Sequence, residues 1–319
     1  MDTATTAAPG SSRVGPTGGP ARAGRTRRRS AGWTALLWLG PSLVLIGGVV
    51  VYPAFKLLQA SLSRFSVTGL YQGGAGLRNY RSLLRQDALP TVLVSTLVWV
   101  VSVVVITIVL SLGLAQFLNK PFLGRRVVRW ALIVPWAASL IMTSRLFVWI
   151  YDYYFGILNR FLQWLHVIDA PRDWLADDRT VMPAMIAVGV FVSLPFTTYV
   201  FLAGLQAIPN DIYEAARIDG ASGARTYRSL TLPLLRPALL VAVVLNMIYV
   251  FNSFPIIWTL NDRNPGFSHD TTITYMYKIA FRSAFRDVGM SAAMSVLNVL
   301  IILVAVLVYL RTVRWREED

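Results

Sequence analysis

The stretch EAARIDGASGARTYRSLTLPLLRP, residues 214–237, separates two long apolar runs of a chain that is rich in hydrophobic residues. It opens as a short helix pattern, contains two glycines, and closes on Leu-Pro-Leu-Leu-Arg-Pro. A polar, helix-forming segment between apolar runs has to contact water, lipid headgroups or another protein. What this segment touches depends on the rest of the chain.

The composition is that of a membrane protein. Of the 319 residues, 55% are hydrophobic and 14% are charged, and the mean hydropathy is +0.55. A helix that crosses a bilayer needs about 20 mostly apolar residues. We therefore predict an all-α polytopic membrane protein with six transmembrane helices. The six candidate runs are 33–58, 91–118, 130–151, 181–205, 237–260 and 291–310.

The net charge of +14 does not indicate a nucleic-acid partner, because the basic residues lie at the ends of the apolar runs. With the N-terminus inside the cell, 17 of the 30 Lys and Arg residues fall in cytoplasmic segments, including the RTRRR run at 25–29. The positive-inside rule then places both termini in the cytoplasm. The expected location is a prokaryotic plasma membrane, with lipid as a partner.

The N-terminal residues 1–32 contain few large apolar side chains, which predicts a disordered, basic cytoplasmic tail. A cleaved signal peptide is the alternative, but the following apolar run is long and lacks a small-x-small cleavage site. We interpret 33–319 as one transmembrane domain, with a cytoplasmic loop at 206–236.

Several chemical functions are disfavoured. The chain has no cysteine, and its two histidines, His166 and His269, fall in predicted outer loops, so we expect no metal site and no catalytic residues. A membrane-embedded enzyme, such as a lipid-modifying transferase, would need an acid/base set that the scattered outer aspartates do not form. A secondary transporter normally uses carboxylates or histidines inside its spans, where this chain has only Arg145 and Lys56.

The opening stretch follows a helix-breaking Pro209. Asp211 and Glu214 have the spacing of a capping box, which predicts a helix over 212–219. Gly220 is placed to end that helix. A two-turn helix is marginal in water, so other contacts must stabilise it.

One face of this predicted helix is formed by Ile212, Ala215 and Ala216, which suits either the lipid surface or a groove on a partner protein. We expect Leu232-Pro233 to break the chain and Pro237 to lie in the first turn of the next span.

Polar residues within two spans suggest a solute path. In the fifth run, Asn246, Tyr249 and Ser253 share one helical face, with Asn252 beside them. In the fourth run, hydroxyls flank Pro195, which can kink the helix. Amides and hydroxyls can bind sugar hydroxyls, and aromatic rings can stack on sugars; the alternative is that these groups join helices. The candidate path residues are Asn252, Ser253, Tyr249, Asn246, Ser193, Phe196, Thr197 and Trp258.

The spacing Glu214-Ala215-Ala216, Gly220, then Leu230-x-Leu232-Pro233 resembles the EAA motif, E-A-A-x3-G-x9-I-x-L-P, of permease subunits of binding-protein-dependent ABC importers. Leu230 replaces the usual Ile. The stretches 205–222, 251–258 and 275–282 are similar to the carbohydrate branch, in particular the MalF-type subunit. The resemblance covers about 60–315, although Asn261–Gly266 departs from the family's glycine-rich T-x-G-G-P turn.

The resemblance implies the type I ABC importer permease fold and a coupling helix that docks on an ATPase subunit. The coupling residues it implies are Ile212, Glu214, Ala215, Ala216, Asp219, Gly220, Leu232 and Pro233. It further implies a homologous second permease, an ATPase dimer and an extracytoplasmic solute-binding protein. This chain has no Gly-Lys pair and hence no phosphate-binding loop, so ATP and Mg would bind to the ATPase and this chain would bind no cofactor.

The resemblance implies a sugar as the solute, whether a mono-, di- or oligosaccharide. The alternative is another polar solute, such as a glycerol phosphodiester. Because Arg145 is the one basic residue available near the predicted path, a neutral sugar is favoured.

Overall fold

The computed structural model of the chain is built almost entirely from helices. Among the described residues, four helices are long and apolar enough to cross a membrane, and two bent helix pairs bring the number of candidate spans to six. The predicted all-α, six-span architecture is therefore confirmed. The described residues are 37–262, 266–282 and 286–314, and the predicted tail at 1–32 lies outside them.

The chain divides into two compact units, Met1–Ala54 and Phe55–Asp319. The described residues of the first unit are helical and belong to α1 (Leu37–Ser61), which contains a π-helical turn at Ile46–Val51. The further elements are, in chain order, β1 (Ser63–Phe65), β2 (Tyr71–Gly74), α2 (Arg78–Leu84), α3 (Ala88–Asn119), α4 (Arg125–Ala137), α5 (Leu140–Ile150), α6 (Ile157–Trp164), α7 (Val181–Gln206), α8 (Asn210–Ile218), α9 (Gly223–Leu234), α10 (Arg236–Phe251), α11 (Phe254–Leu260), α12 (Thr272–Tyr277) and α13 (Val288–Arg314).

The third predicted run, 130–151, is not one helix. It consists of α4 and α5, which meet at an angle of 101°. Ala138 and Ser139, between them, have extended backbone conformations, with ψ of 146° and 135°. The predicted span is present as this bent pair, but the break was not predicted, because apolar composition does not specify the dihedral angles of two residues.

Two hydrogen bonds show that α4 and α5 together extend along α7. Near the end of α7, Tyr199 Oη donates to the carbonyl of Arg129 in α4 at 2.7 Å. Near its beginning, the carbonyl of Ala184 accepts from Oη of Tyr151, just after α5, at 3.1 Å. Residues 184 and 199 are about 22 Å apart along a helix. The bent pair therefore extends along α7 for about 22 Å, which is consistent with one broken span.

The fifth predicted run is also interrupted. α10 ends at Phe251, and Ser253 (φ −77°, ψ 61°) forms an inverse γ-turn in which Phe254 N donates to Asn252 O at 2.8 Å. The sequence had predicted that Ser253 shares one helical face with Asn246 and Tyr249. That prediction is wrong, because Ser253 lies outside the helix. The carbonyl of Val250 accepts from Ser253 N at 3.2 Å and also from Trp99 Nε1 of α3 at 3.0 Å.

Glycines allow α3, α7 and α10 to pack closely. A Cβ at Gly189 of α7 would lie 2.7 Å from Cη2 of Trp99, and one at Gly204 would lie 2.7 Å from Cβ of Ala238 in α10. Small residues at helix interfaces permit this approach in membranes. The close packing of α3, α7 and α10 fixes the positions of the polar residues on α7 and α10.

Candidate functional site

The predicted coupling segment is a helix, with shifted bounds. α8 begins at Asn210, two residues before the predicted start, directly after Pro209. No side chain caps its N-terminus, so the predicted capping box of Asp211 and Glu214 is wrong. Asp211 lies in the first turn, where its charge is favourable to the helix dipole.

Gly220 ends α8 as predicted. Its φ is +72°, in the left-handed region that favours glycine. Gly220 N donates to Arg217 O at 3.1 Å, and Ala221 N donates to Ala216 O at 2.9 Å. These two bonds form a Schellman motif, which satisfies carbonyls at the end of the helix.

α8 packs against α9 across a groove of about 510 Å³. Thr231 Oγ1 donates to Tyr213 Oη at 3.3 Å, and Ala216 is buried within the chain itself. The predicted contact face of α8 is therefore turned toward α9, while Glu214, Arg217 and Ile218 are exposed. The groove is lined by Ile212, Ala215, Ala216, Asp219, Ala221, Arg225, Thr226, Ser229 and Leu230.

The predicted break at Leu232-Pro233 occurs about two residues later, after Leu234. α9 continues to Leu234 through a π-helical turn, and the chain bends by 65° between α9 and α10. Pro233 is tolerated because it lies at the start of the last helical segment of α9. Pro237 lies in the first turn of α10, as predicted.

A cavity of about 270 Å³ lies between α4, α7 and α10. Four predicted path residues line it, namely Ser193, Phe196, Asn246 and Tyr249. Trp136 of α4 also lines it and was missed, because the packing of α4 against α7 is not encoded in a local sequence pattern. The other lining residues are Val192 and Leu245.

Hydrogen bonds fix the polar side of the cavity. Asn246 Nδ2 of α10 donates to Thr197 Oγ1 of α7, and Thr197 Oγ1 donates to Ser193 O at 2.9 Å. Within the described part of the chain, Ser193 Oγ is buried without a hydrogen-bond partner. Buried hydroxyls normally have partners, so this group is available to a solute or to water.

Besides the buried Thr197, three further predicted path residues do not line this cavity. Asn252 Nδ2 donates back to Ile248 O at 2.8 Å, and Ser253 lies in the γ-turn. Trp258 of α11 stacks on Phe254, with ring centroids 5.3 Å apart, and Arg282 lies 4.5 Å from the Trp258 ring centroid. The predicted path residues therefore form two groups. One group lines the cavity, and the other lies at α11 and in the turn that precedes it.

Comparison with known proteins identifies the family. Residues 107–316 match the family of binding-protein-dependent transport system inner membrane components. The chain belongs to this family. A probable ABC transporter permease protein of Brucella suis is 40% identical over 274 residues, which cover 85% of this chain and 93% of the relative. The trehalose/maltose transport system permease protein MalF of Thermococcus litoralis is 35% identical over 284 residues, which cover 88% and 94%.

A solved structure agrees with the family's fold. The chain matches a crystal structure of a bacterial ABC transporter involved in the import of the acidic polysaccharide alginate with a TM-score of 0.78. The sequences are 20% identical, and the match covers 90% of this chain and 97% of the other. The predicted type I ABC importer permease fold is confirmed.

Proposed function

We propose that this chain is the permease subunit of an ATP-driven importer of a neutral sugar, and that the cavity between α4, α7 and α10 lies on the sugar's path. The observation that carries this proposal is the lining, which has no charged side chain among its described residues. Aromatic rings such as Trp136 and Tyr249 can stack on a sugar, while Ser193 and Asn246 can bond its hydroxyls. The similarity to a trehalose/maltose permease supports the same solute class.

The proposed partners follow from the family. An extracytoplasmic binding protein delivers the sugar, a second permease completes the path, and two ATPase subunits bind ATP and Mg. α8 docks on an ATPase subunit, and Glu214 and Ile218 are exposed for this contact. Closure of the ATPase dimer moves α8 and opens the spans toward the binding protein. Both termini are cytoplasmic in this arrangement, as the positive-inside rule favours.

Co-purification of a tagged copy from its native membrane tests the assembly. We expect a second permease and an ATPase to be recovered and identified by mass spectrometry. A chain that purifies alone under gentle detergents would contradict the proposed partners.

Uptake of labelled neutral mono-, di- and oligosaccharides by the reconstituted importer, with its binding protein, tests the solute path. The variant Asn246→Leu removes the cavity amide, and Asn252→Leu makes the same change outside the cavity. Loss of one hydrogen bond of about 1 kcal/mol corresponds to about a fivefold higher sugar concentration at half-maximal uptake. We expect this effect for Asn246→Leu alone, with assembly checked by co-purification. The opposite ranking of the two variants would reject the cavity as the path.

A further inference from the structure

α6 has an exposed apolar stripe that the transport function does not use. Ile157, Phe161, Trp164 and Leu165 follow the i, i+4, i+7, i+8 spacing, which places them within about 100° of one helix face. Their exposed fractions lie between 46% and 72%. The preceding residues Tyr154 and Phe155 are even more exposed, so the apolar surface extends beyond the helix.

The opposite face of α6 is held by Asn159, which is buried. Asn159 Nδ2 donates to the carbonyls of Asp152, Tyr153 and Arg172 at 3.3, 3.2 and 3.0 Å. Asn159 Oδ1 accepts from Trp174 Nε1 at 2.8 Å and from Arg172 N at 3.2 Å. These bonds fix the rotation of α6 and keep the apolar stripe pointing outward.

The position of α6 in the chain places it where spans leave the bilayer. It lies between the end of α5 and the start of α7, and the Tyr151 to Ala184 hydrogen bond sets those two ends at one level. Just before this point, Trp149 of α5 is exposed, so the apolar surface of the span leads toward the stripe.

We propose that α6 is an interfacial helix whose apolar stripe inserts into the outer leaflet of the membrane, with phospholipid as its partner. Trp and Tyr concentrate at the boundary between headgroups and acyl chains, and amphipathic helices lie there with their apolar face down. Arg160, at the edge of the stripe, is exposed, and no carboxylate of the described residues lies within 4 Å of it. From there its guanidinium can reach lipid phosphates. The stripe thus ties the outer loop, through Asn159, to the membrane surface.

Spin labelling tests this directly, because the chain has no native cysteine that would need to be removed. The variants Ile157→Cys, Phe161→Cys and Trp164→Cys are each labelled in the assembled importer, in vesicles of phosphatidylcholine and phosphatidylglycerol. Power saturation measures collisions of the label with oxygen, which concentrates in the bilayer, and with a nickel chelate, which stays in water. Leu303→Cys, exposed on α13, is the lipid reference, and Ala170→Cys, exposed in the outer loop, is the aqueous reference.

We expect the ratio of oxygen to nickel collisions at the stripe to exceed that at residue 170 and to approach that at residue 303. A ratio equal to that at residue 170 would mean that the stripe is solvated. Low collision with both reagents, or protection that arises when the binding protein is added, would mean that a protein covers it. Either result overturns the proposal. Because three stripe positions are labelled separately, the test remains valid if one of the variants does not assemble.

Discussion

Replacing Gly220 by valine tests whether α8 must end in a left-handed turn for the importer to work. A Cβ at this position would have no heavy atom within 4 Å, so a larger side chain meets no steric obstacle in the chain itself. The cost comes from the backbone alone, because φ is +72°. For an L-residue the left-handed conformation costs roughly 1–2 kcal/mol, and a β-branched residue is least suited to it.

A cost of 1–2 kcal/mol changes the equilibrium between the closed and open turn about 5–30-fold. The two Schellman bonds of Gly220 and Ala221 are lost when the turn opens. We therefore expect ATP-dependent sugar uptake by Gly220→Val to fall by about 5–30-fold, while the amount of protein in the membrane stays unchanged. ATP hydrolysis falls less than uptake if the variant is uncoupled.

The matched control is Gly220→Asn, because asparagine tolerates the left-handed conformation. It should retain most of the uptake in the same proteoliposome assay. Full uptake by the valine variant would refute the argument. Equal damage from asparagine and valine would show that the side chain, and not the backbone conformation, matters here.

Three further substitutions test the packing. Lys278→Met leaves the buried carboxylate of Asp270 without its ion-pair partner at 2.6 Å, which should lower the free energy of unfolding by about 3–5 kcal/mol. Thermal melting in detergent measures this loss of stability. The double variant that also carries Asp270→Asn should regain part of the lost stability. Asn159→Leu removes the bonds that hold the loop between α5 and α7, so amide hydrogen exchange across 152–175 should become faster. An unchanged exchange rate would contradict this role. Gly204→Val should lower the free energy of unfolding by about 1–3 kcal/mol, because the added side chain overpacks against α10. Gly113→Ala is the control, since its Cβ would have no heavy atom within 4 Å, and its stability in the same melting experiment should be nearly unchanged.

Features encoded within a few consecutive residues were predictable. The end of α8 at Gly220 follows from one residue's backbone preference, and the spans α3 and α7 follow from long apolar runs. The EAA motif indicated the family because its residues are fixed by spacing along the chain. The predicted N-cap at Asp211 failed because Pro209 already starts the helix without a side-chain bond.

Features that depend on contacts between distant residues were decided by the tertiary structure. Near the end of α10 at Phe251, the carbonyl of Val250 accepts from Trp99 of α3, and Asn246 donates to Thr197 of α7. The packing of α4 against α7 places Trp136 at the cavity, and Thr231 of α9 donates to Tyr213 of α8. The sequence by itself determined the class of membrane protein, the number of spans and the place of the helix α8, because hydropathy and backbone preference are local properties. Where the spans break and which side chains meet were decided only by packing, because those energies arise between residues far apart in the chain.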